Sequence, residues 1–141
     1  MIPISPRLDA DLAQILREAK TIAVVGLSPK AERPSHQVAS YLLAAGYQVI
    51  PVNPGHDQIL GLQAYPDLTA VPVAVDIVDI FRNAREVPAI VEAAIAIKAK
   101  AIWMQLGIVH EEAAAMARAA GLNVIMDRCL KIDHQHYGQR V

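Results

Sequence analysis

A chain of 141 residues, 54% of them hydrophobic and only 4% aromatic, is long enough to bury a core, and a single domain over residues 1–141 is expected. Its net charge of −1 gives no electrostatic reason to expect nucleic acid or an anionic membrane, and no apolar run approaches the roughly 20 residues that span a bilayer. The one cysteine, Cys129, excludes an internal disulfide, and the N-terminus lacks a basic segment followed by an apolar core, so a cytoplasmic protein is expected.

In chain order, a helix is predicted over residues 8–19, with Leu8, Leu12, Ile15 and Leu16 on one face and Asp9 and Asp11 near its positive end. A buried aliphatic strand follows over residues 22–27 and runs into a turn at Gly26. The next helix, over residues 35–45, buries Val38, Tyr41, Leu42 and Ala45 and stops at Gly46. Residues 47–52 form the second strand, closed by the turn signal Asn53-Pro54-Gly55. Residues 59–65 read as irregular or as a short edge piece, and a brief helix opens at Pro66-Asp67-Leu68. The third strand covers residues 73–80 and turns through residues 81–85 into a helix over residues 87–98, with Pro88 tolerated in its first turn. A fourth strand over residues 101–106 ends at Gly107, a helix spans residues 110–120, and a fifth strand spans residues 123–126. Residues 129–141 are polar and receive no assignment. Aliphatic strands alternating with helices predict an α/β, doubly wound parallel sheet of five strands, ordered 3-2-1-4-5, with helices on both faces.

Ligands of such sheets bind beyond the carboxyl ends of the strands, here near the switch between strands one and four. That nominates residues 26–35, 52–55, 80–85 and 105–107. In the first loop Gly26 and Ser28 permit close approach of a phosphate, while Lys30 and Arg33 supply cations beside the helix N-terminus that begins near Ser35. The competing explanation is a tight turn with positive φ at Gly26 and solvated cations; the full G-x-G-x-x-G pattern is absent. The second strand ends Pro51-Val52-Asn53-Pro54, with no carboxylate before Asp57 to bind a ribose 2′-hydroxyl. A ligand bearing a phosphate on its ribose therefore fits better than NAD, unless Asn53-Pro54 is turn chemistry alone. Phe81 either stacks on a base or caps the core, with Arg82 beside it. Gln105 is the polar candidate on the fourth strand, whereas Trp103 and Met104 belong to the core.

Catalytic and metal-binding arrangements are missing. Cys129 with His134 and His136 makes C-x4-H-x-H, which is not a zinc spacing, and an inert thiol is expected. His36 is placed to donate to a phosphate or to lie on the surface, while His56 and His110 have no evident partner. Asp79 is a single carboxylate facing the cleft, and no G-x-S-x-G surrounds Ser28.

Three stretches, VVGLSPKAERPSHQVASYLLAAGYQVIPVNP, VDIVDIFRNAREVPAIVEAAIAIKAKAIWMQLGI and AGLNVIMDRCLKIDH, closely resemble the stand-alone CoA-binding-domain proteins. These are similar to the N-terminal domain of the succinyl-CoA synthetase α subunit, and the resemblance covers roughly residues 19–134. It implies a Rossmann-like domain that binds coenzyme A or an acyl-CoA. By position, Gly26, Ser28, Arg33 and Ser35 would cradle the phosphates. Val52, Asn53 and Pro54 would flank the adenosine, Phe81 and Arg82 would lie along it, and Gln105 and Gly107 would close the cleft. The synthetase's phosphorylated histidine belongs to a second domain, for which this chain has no residues left. The expectation is thus a binding protein for a small CoA ligand, without catalytic machinery of its own. The alternatives are a CoA-binding subunit that needs a ligase partner, and an NAD(P)-binding redox or sensor domain.

Overall fold

The computed structural model of the chain describes residues 6–138. A helix α1 (Pro6–Glu18) precedes β1 (Thr21–Val25), which leads through residues 26–33 into α2 (Pro34–Ala44) and β2 (Gln48–Val52). A small antiparallel hairpin, β3 (Gln58–Ile59) and β4 (Leu62–Gln63), and one 3₁₀ turn at Leu68–Ala70 carry the chain to β5 (Ile77–Ile80). A second 3₁₀ turn (Ala84–Glu86) opens α3 (Val87–Ala96), followed by β6 (Ala101–Met104), α4 (Glu111–Ala119) and β7 (Asn123–Ile125). The segment with no sequence assignment forms α5 (Leu130–Asp133), which passes into a π-helical turn at His134–Gly138. The expected contribution of Leu8 to the face of α1 lies outside the described side chains, as do residues 139–141.

Alternation along the strands sorts the apolar residues into two layers. Ala23 and Val25 of β1, with Val78 and Ile80 of β5 and Met104 of β6, pack under Val87, Val91 and Ala94 of α3 and Ala114 and Ala117 of α4. On the other face Ile22, Val24, Ile77 and Trp103 meet Leu12 and Leu16 of α1, Val38 and Leu42 of α2, and Leu130 of α5. All five residues of β1 are buried, as a central strand requires. Trp103 is fully buried and donates its indole Nε1–H to the Arg128 carbonyl (2.9 Å), so it is a core residue as expected.

The sheet is fully parallel with five strands, but its order is β2-β1-β5-β6-β7. Counting those strands in sequence gives 2-1-3-4-5, which corrects the expected 3-2-1-4-5. Pro51 supplies the physical reason. A proline inside a strand has no N–H for a second ladder, so it belongs on an edge. β2 is that edge, and beyond it lies only an isolated bridge, in which the Tyr65 amide reaches the Pro51 carbonyl (3.0 Å) and the Asn53 amide reaches the Tyr65 carbonyl (2.9 Å). The third strand therefore crosses back over β1 and pairs on its other side. This moves the switch point to the gap between β1 and β5.

At the amino end of the sheet Asp76 ties three strands together. Its Oδ2 accepts from the Lys20 (2.8 Å) and Thr21 (3.0 Å) amides, and its Oδ1 lies 3.3 Å from the Lys100 ammonium. Burial pushes its pKa up, yet these donors outweigh burial and hold it below the usual carboxylate value.

Candidate functional site

The loop after β1 reaches its shape through the chain's own bonds. Gly26 has φ +88°, and a Cβ built there would stand 2.6 Å from the Phe81 carbonyl oxygen and 2.8 Å from Arg82 Cδ. Glycine is therefore demanded by the close passage of β1 past the end of β5, before any ligand is considered. Further along, the Ser28 amide donates to Ser35 Oγ (2.9 Å), the Lys30 amide donates to Ser28 Oγ (3.1 Å), and the His36 Nδ1–H donates to the Ser28 carbonyl (3.0 Å). Ser35 is buried as the brace of the loop, and His36 fixes the loop from the first turn of α2. Arg33 occupies the N-cap position with no side-chain cap bond, which leaves its guanidinium outside the helix's own bonding.

The carboxyl end of β2 packs against this loop through Asn53. Its Nδ2 donates to the Leu27 carbonyl (3.0 Å) and its Oδ1 accepts from the Gly55 amide (2.8 Å). The amide side chain thus does turn chemistry, the alternative left open by the sequence. Arg82, after β5, forms an ion pair with Glu86 one helical turn on (2.7 Å). This contact holds the Glu86 carboxyl below its usual pKa. Gln105 is buried, and its Oε1 accepts from the Leu130 amide (3.0 Å), fastening α5 to the end of β6. The Gly107 amide donates to Asp127 Oδ1 (2.7 Å), which sets the turn after β6.

These pieces enclose three chambers of about 500 Å³ each, arranged along the carboxyl edge of the sheet. The central chamber lies over the first loop and is lined by Gly26, Ser28, Lys30, Arg33, Ser35, Asn53, Phe81 and Arg82, with His56 closing it from beyond β2. A second, mostly apolar chamber opens on the α3 side and takes in Val52, Pro54, Leu68, Arg82 and Ile90. The third runs toward β6 and is bounded by Pro34, Val38, Phe81, Gln105, Gly107 and Cys129. Arg82 borders all three, Gly26 borders the first two, and Pro34 and Phe81 border the first and third. Gly26, Ser28, Lys30, Arg33, Ser35, Val52, Asn53, Pro54, Phe81, Arg82, Gln105 and Gly107 each line at least one of these chambers, whereas Leu27, Gly55 and Ile80 of the same stretches do not.

Two residues were passed over. His56 showed no partner in the sequence, yet the Asn53-Pro54-Gly55 turn swings it to the rim beside Lys30 and Arg33. Cys129 is half-buried and is among the residues that line the third chamber. Nothing local marks it, because the contact arises from the docking of α5. His110 serves the fold, since its Nδ1 accepts from the Ala113 amide (3.1 Å) and caps α4. His134 is remote from the cleft, with Tyr41 Oη 2.7 Å from its Nδ1, and burial lowers its pKa. It lines a cavity of about 550 Å³ at the opposite end of the sheet, with Tyr41, Tyr47, Arg17 and Lys20. Among the described residues no group of three or more His, Cys, Asp or Glu side chains is placed to hold a metal.

Asp79 differs most from its expected place. It does not face the cleft openly; it is fully buried in β5, and neither carboxyl oxygen has a hydrogen-bond partner. Burial raises its pKa well above the carboxylate range.

The profile of the CoA binding domain matches residues 20–135. The chain belongs to the CoA-binding-domain family. Among members and relatives, an uncharacterized protein of Bacillus subtilis, YneT, is 42% identical over 125 residues, covering 89% of this chain and 93% of YneT. A solved hypothetical protein of Pyrococcus horikoshii superposes with a TM-score of 0.92 at 38% identity, over 97% of this chain and 96% of that one. The ADP-forming acetate–CoA ligase II of Archaeoglobus fulgidus is 35% identical over 71 residues, which is 49% of this chain and 10% of the ligase. The fold of the family is thus the Rossmann-like parallel sheet described above, related to the CoA-binding part of acyl-CoA ligases. No helix among the described residues is long and apolar enough to cross a membrane.

Proposed function

We propose that this protein binds coenzyme A or an acyl-CoA across the three joined chambers, and that as a single domain of residues 1–141 it has no catalytic machinery of its own. The observation that carries the proposal is the convergence of Lys30, Arg33 and His56 on the central chamber, with an apolar chamber on one side and a mixed one on the other. A nucleotide with a diphosphate, a further ribose phosphate, a flat base and a long thiol-bearing arm has that division of character. The diphosphate lies over Gly26, Ser28, Lys30, Arg33 and Ser35, where cations and the amino end of α2 favour negative charge. Val52, Asn53 and Pro54 flank the adenosine, Phe81 and Arg82 run along it, and Gln105 and Gly107 border the arm. Because Asn53 is engaged with Leu27 and Gly55, the ribose phosphate falls to His56 and the neighbouring cations. A cytoplasmic location suits such a ligand.

The match to an ADP-forming acetate–CoA ligase favours a second reading, in which the domain binds CoA on behalf of a ligase partner. Calorimetric titration with CoA, dephospho-CoA, NAD and NADP tests the first reading. CoA is expected to bind tightest, with a loss on removal of the 3′-phosphate; preference for NAD would overturn it.

A further inference from the structure

The cavity at the amino end of the sheet, about 550 Å³, matches the cleft chambers in size but is built from residues that the CoA reading does not use. Its walls come from the end of α1, the end of α2 and the π-helical turn His134–Gly138. Such turns are rare and occur often at functional sites. This one holds His134, nine-tenths buried, between the rings of Tyr41 and Tyr47, each edge-on at 5.5 Å. Tyr41 Oη lies 2.7 Å from Nδ1 and fixes one side of the imidazole. The other nitrogen, Nε2, has no hydrogen-bond partner among the described residues. Gly138 stands over that edge of the ring, where a Cβ would come within 2.4 Å of Cδ2 and 3.0 Å of Nε2. Both residues line the cavity, so the glycine leaves open an edge that any side chain would cover.

The charge of the walls is one-sided. Arg17 and Lys20 line the cavity, and among the described residues no carboxylate lines it and neither cation forms an ion pair. Leu16, Ala19, Ala44 and the two tyrosine rings make the rest of the lining largely apolar. Burial lowers the His134 pKa, so the ring is neutral at neutral pH. A tyrosine hydroxyl that donates to Nδ1 leaves the ring's proton on Nε2. Two cations and one N–H donor beside apolar walls suit an anion with a hydrophobic body.

We propose that this cavity is a second ligand site, separate from the CoA cleft, for a small monocarboxylate with an apolar or aromatic body. The carboxylate pairs with Arg17 and Lys20 and accepts from His134 Nε2–H, while the body packs against Leu16, Ala19 and the tyrosine rings. The site uses no residue of the cleft and is independent of CoA binding.

The test titrates the isotopically labelled full chain with phenylacetate and with hexanoate. The controls are 2-phenylethanol, the uncharged counterpart, and inorganic phosphate, an anion without a body. Amide shifts and the nitrogen shifts of the His134 ring are read. Either carboxylate is expected to move the Arg17, Lys20, Gly46 and Gly138 amides, to leave residues 26–36 still, and to bind about tenfold or more tightly than both controls. The unliganded ring should show the Nε2–H tautomer. Arg17→Ala combined with Lys20→Ala, at exposed positions, should weaken carboxylate binding about tenfold or more with an unchanged melting temperature. An Nδ1–H tautomer, binding of either control as tight as the carboxylates, or still amides with both carboxylates would overturn the site. So would a double variant of lowered melting temperature and intact carboxylate affinity, since the cations would then serve only the carboxyl end of α2.

Discussion

Gly26 and Arg33 divide the first loop between structure and ligand. An alanine at Gly26 meets a left-handed φ and a backbone carbonyl at 2.6 Å, so Gly26→Ala should destabilise the fold by about 2 kcal/mol or more, read by urea denaturation. Loss of CoA affinity in that variant says little about phosphate contact, since β1 and β5 must move apart first. Arg33 is the cleaner probe. It is exposed and free of cap bonds, so Arg33→Ala should weaken CoA binding by about 1.5–3 kcal/mol with an unchanged melting temperature. Unaltered affinity would take Arg33 out of the site. Asp79 yields a third residue-level expectation. Its folded pKa is raised above the unfolded value, so the native state holds a proton that the unfolded chain gives up. The stability this contributes is complete below the unfolded carboxylate range of about 4 and is lost as pH rises above it. Asp67, Asp76 and Glu86 are shifted the other way, so the test is a comparison. Asp79→Asn should flatten the decline between acid and mildly alkaline pH relative to wild type. A parallel pair of pH–stability curves would contradict a protonated Asp79.

At the scale of elements, what the sequence withheld was mostly long-range. Five strands and the helices between them follow from aliphatic runs and their glycine stops, and the observed ends fall close to the expected ones. The third strand is the exception: Ile77–Ile80 is ladder, whereas residues 73–76 are irregular, with bends at Val73 and Asp76. The strand order turned on Pro51, which was in plain view and carried the right physics for an edge strand. α5 escaped notice because four residues carry almost no periodicity; it is held by Gln105, Trp103 and the Arg128–Asp133 pair rather than by its own propensity. The chamber-lining role of Cys129 went with it. Asp76 shows how much one side chain does for element assembly. Asp76→Ala removes the acceptor for two backbone amides at the start of β1 and should cost about 1–3 kcal/mol of unfolding free energy. The exposed Lys100 partner accounts for little of that, so Lys100→Ala should change stability by less than about 1 kcal/mol.

At the scale of the whole molecule, the proposed ligand spans the carboxyl edge of the sheet at the β1–β5 switch point. The residues proposed for it were legible because glycine, cations and turn signals cluster where strands end. The correct gap between strands was not, since it depends on the order of strands in space. A cavity of similar size at the amino end, lined by Tyr41, Tyr47 and His134, offers a competing location for the ligand. The decisive measurement is amide chemical-shift mapping of the labelled protein titrated with CoA. The largest changes are expected in residues 26–36, 52–56, 81–86 and 105–108, with the amides around Gly46 and His134 nearly still. Shifts concentrated around Tyr41, Tyr47 and His134, with the loop after β1 unmoved, would contradict this placement.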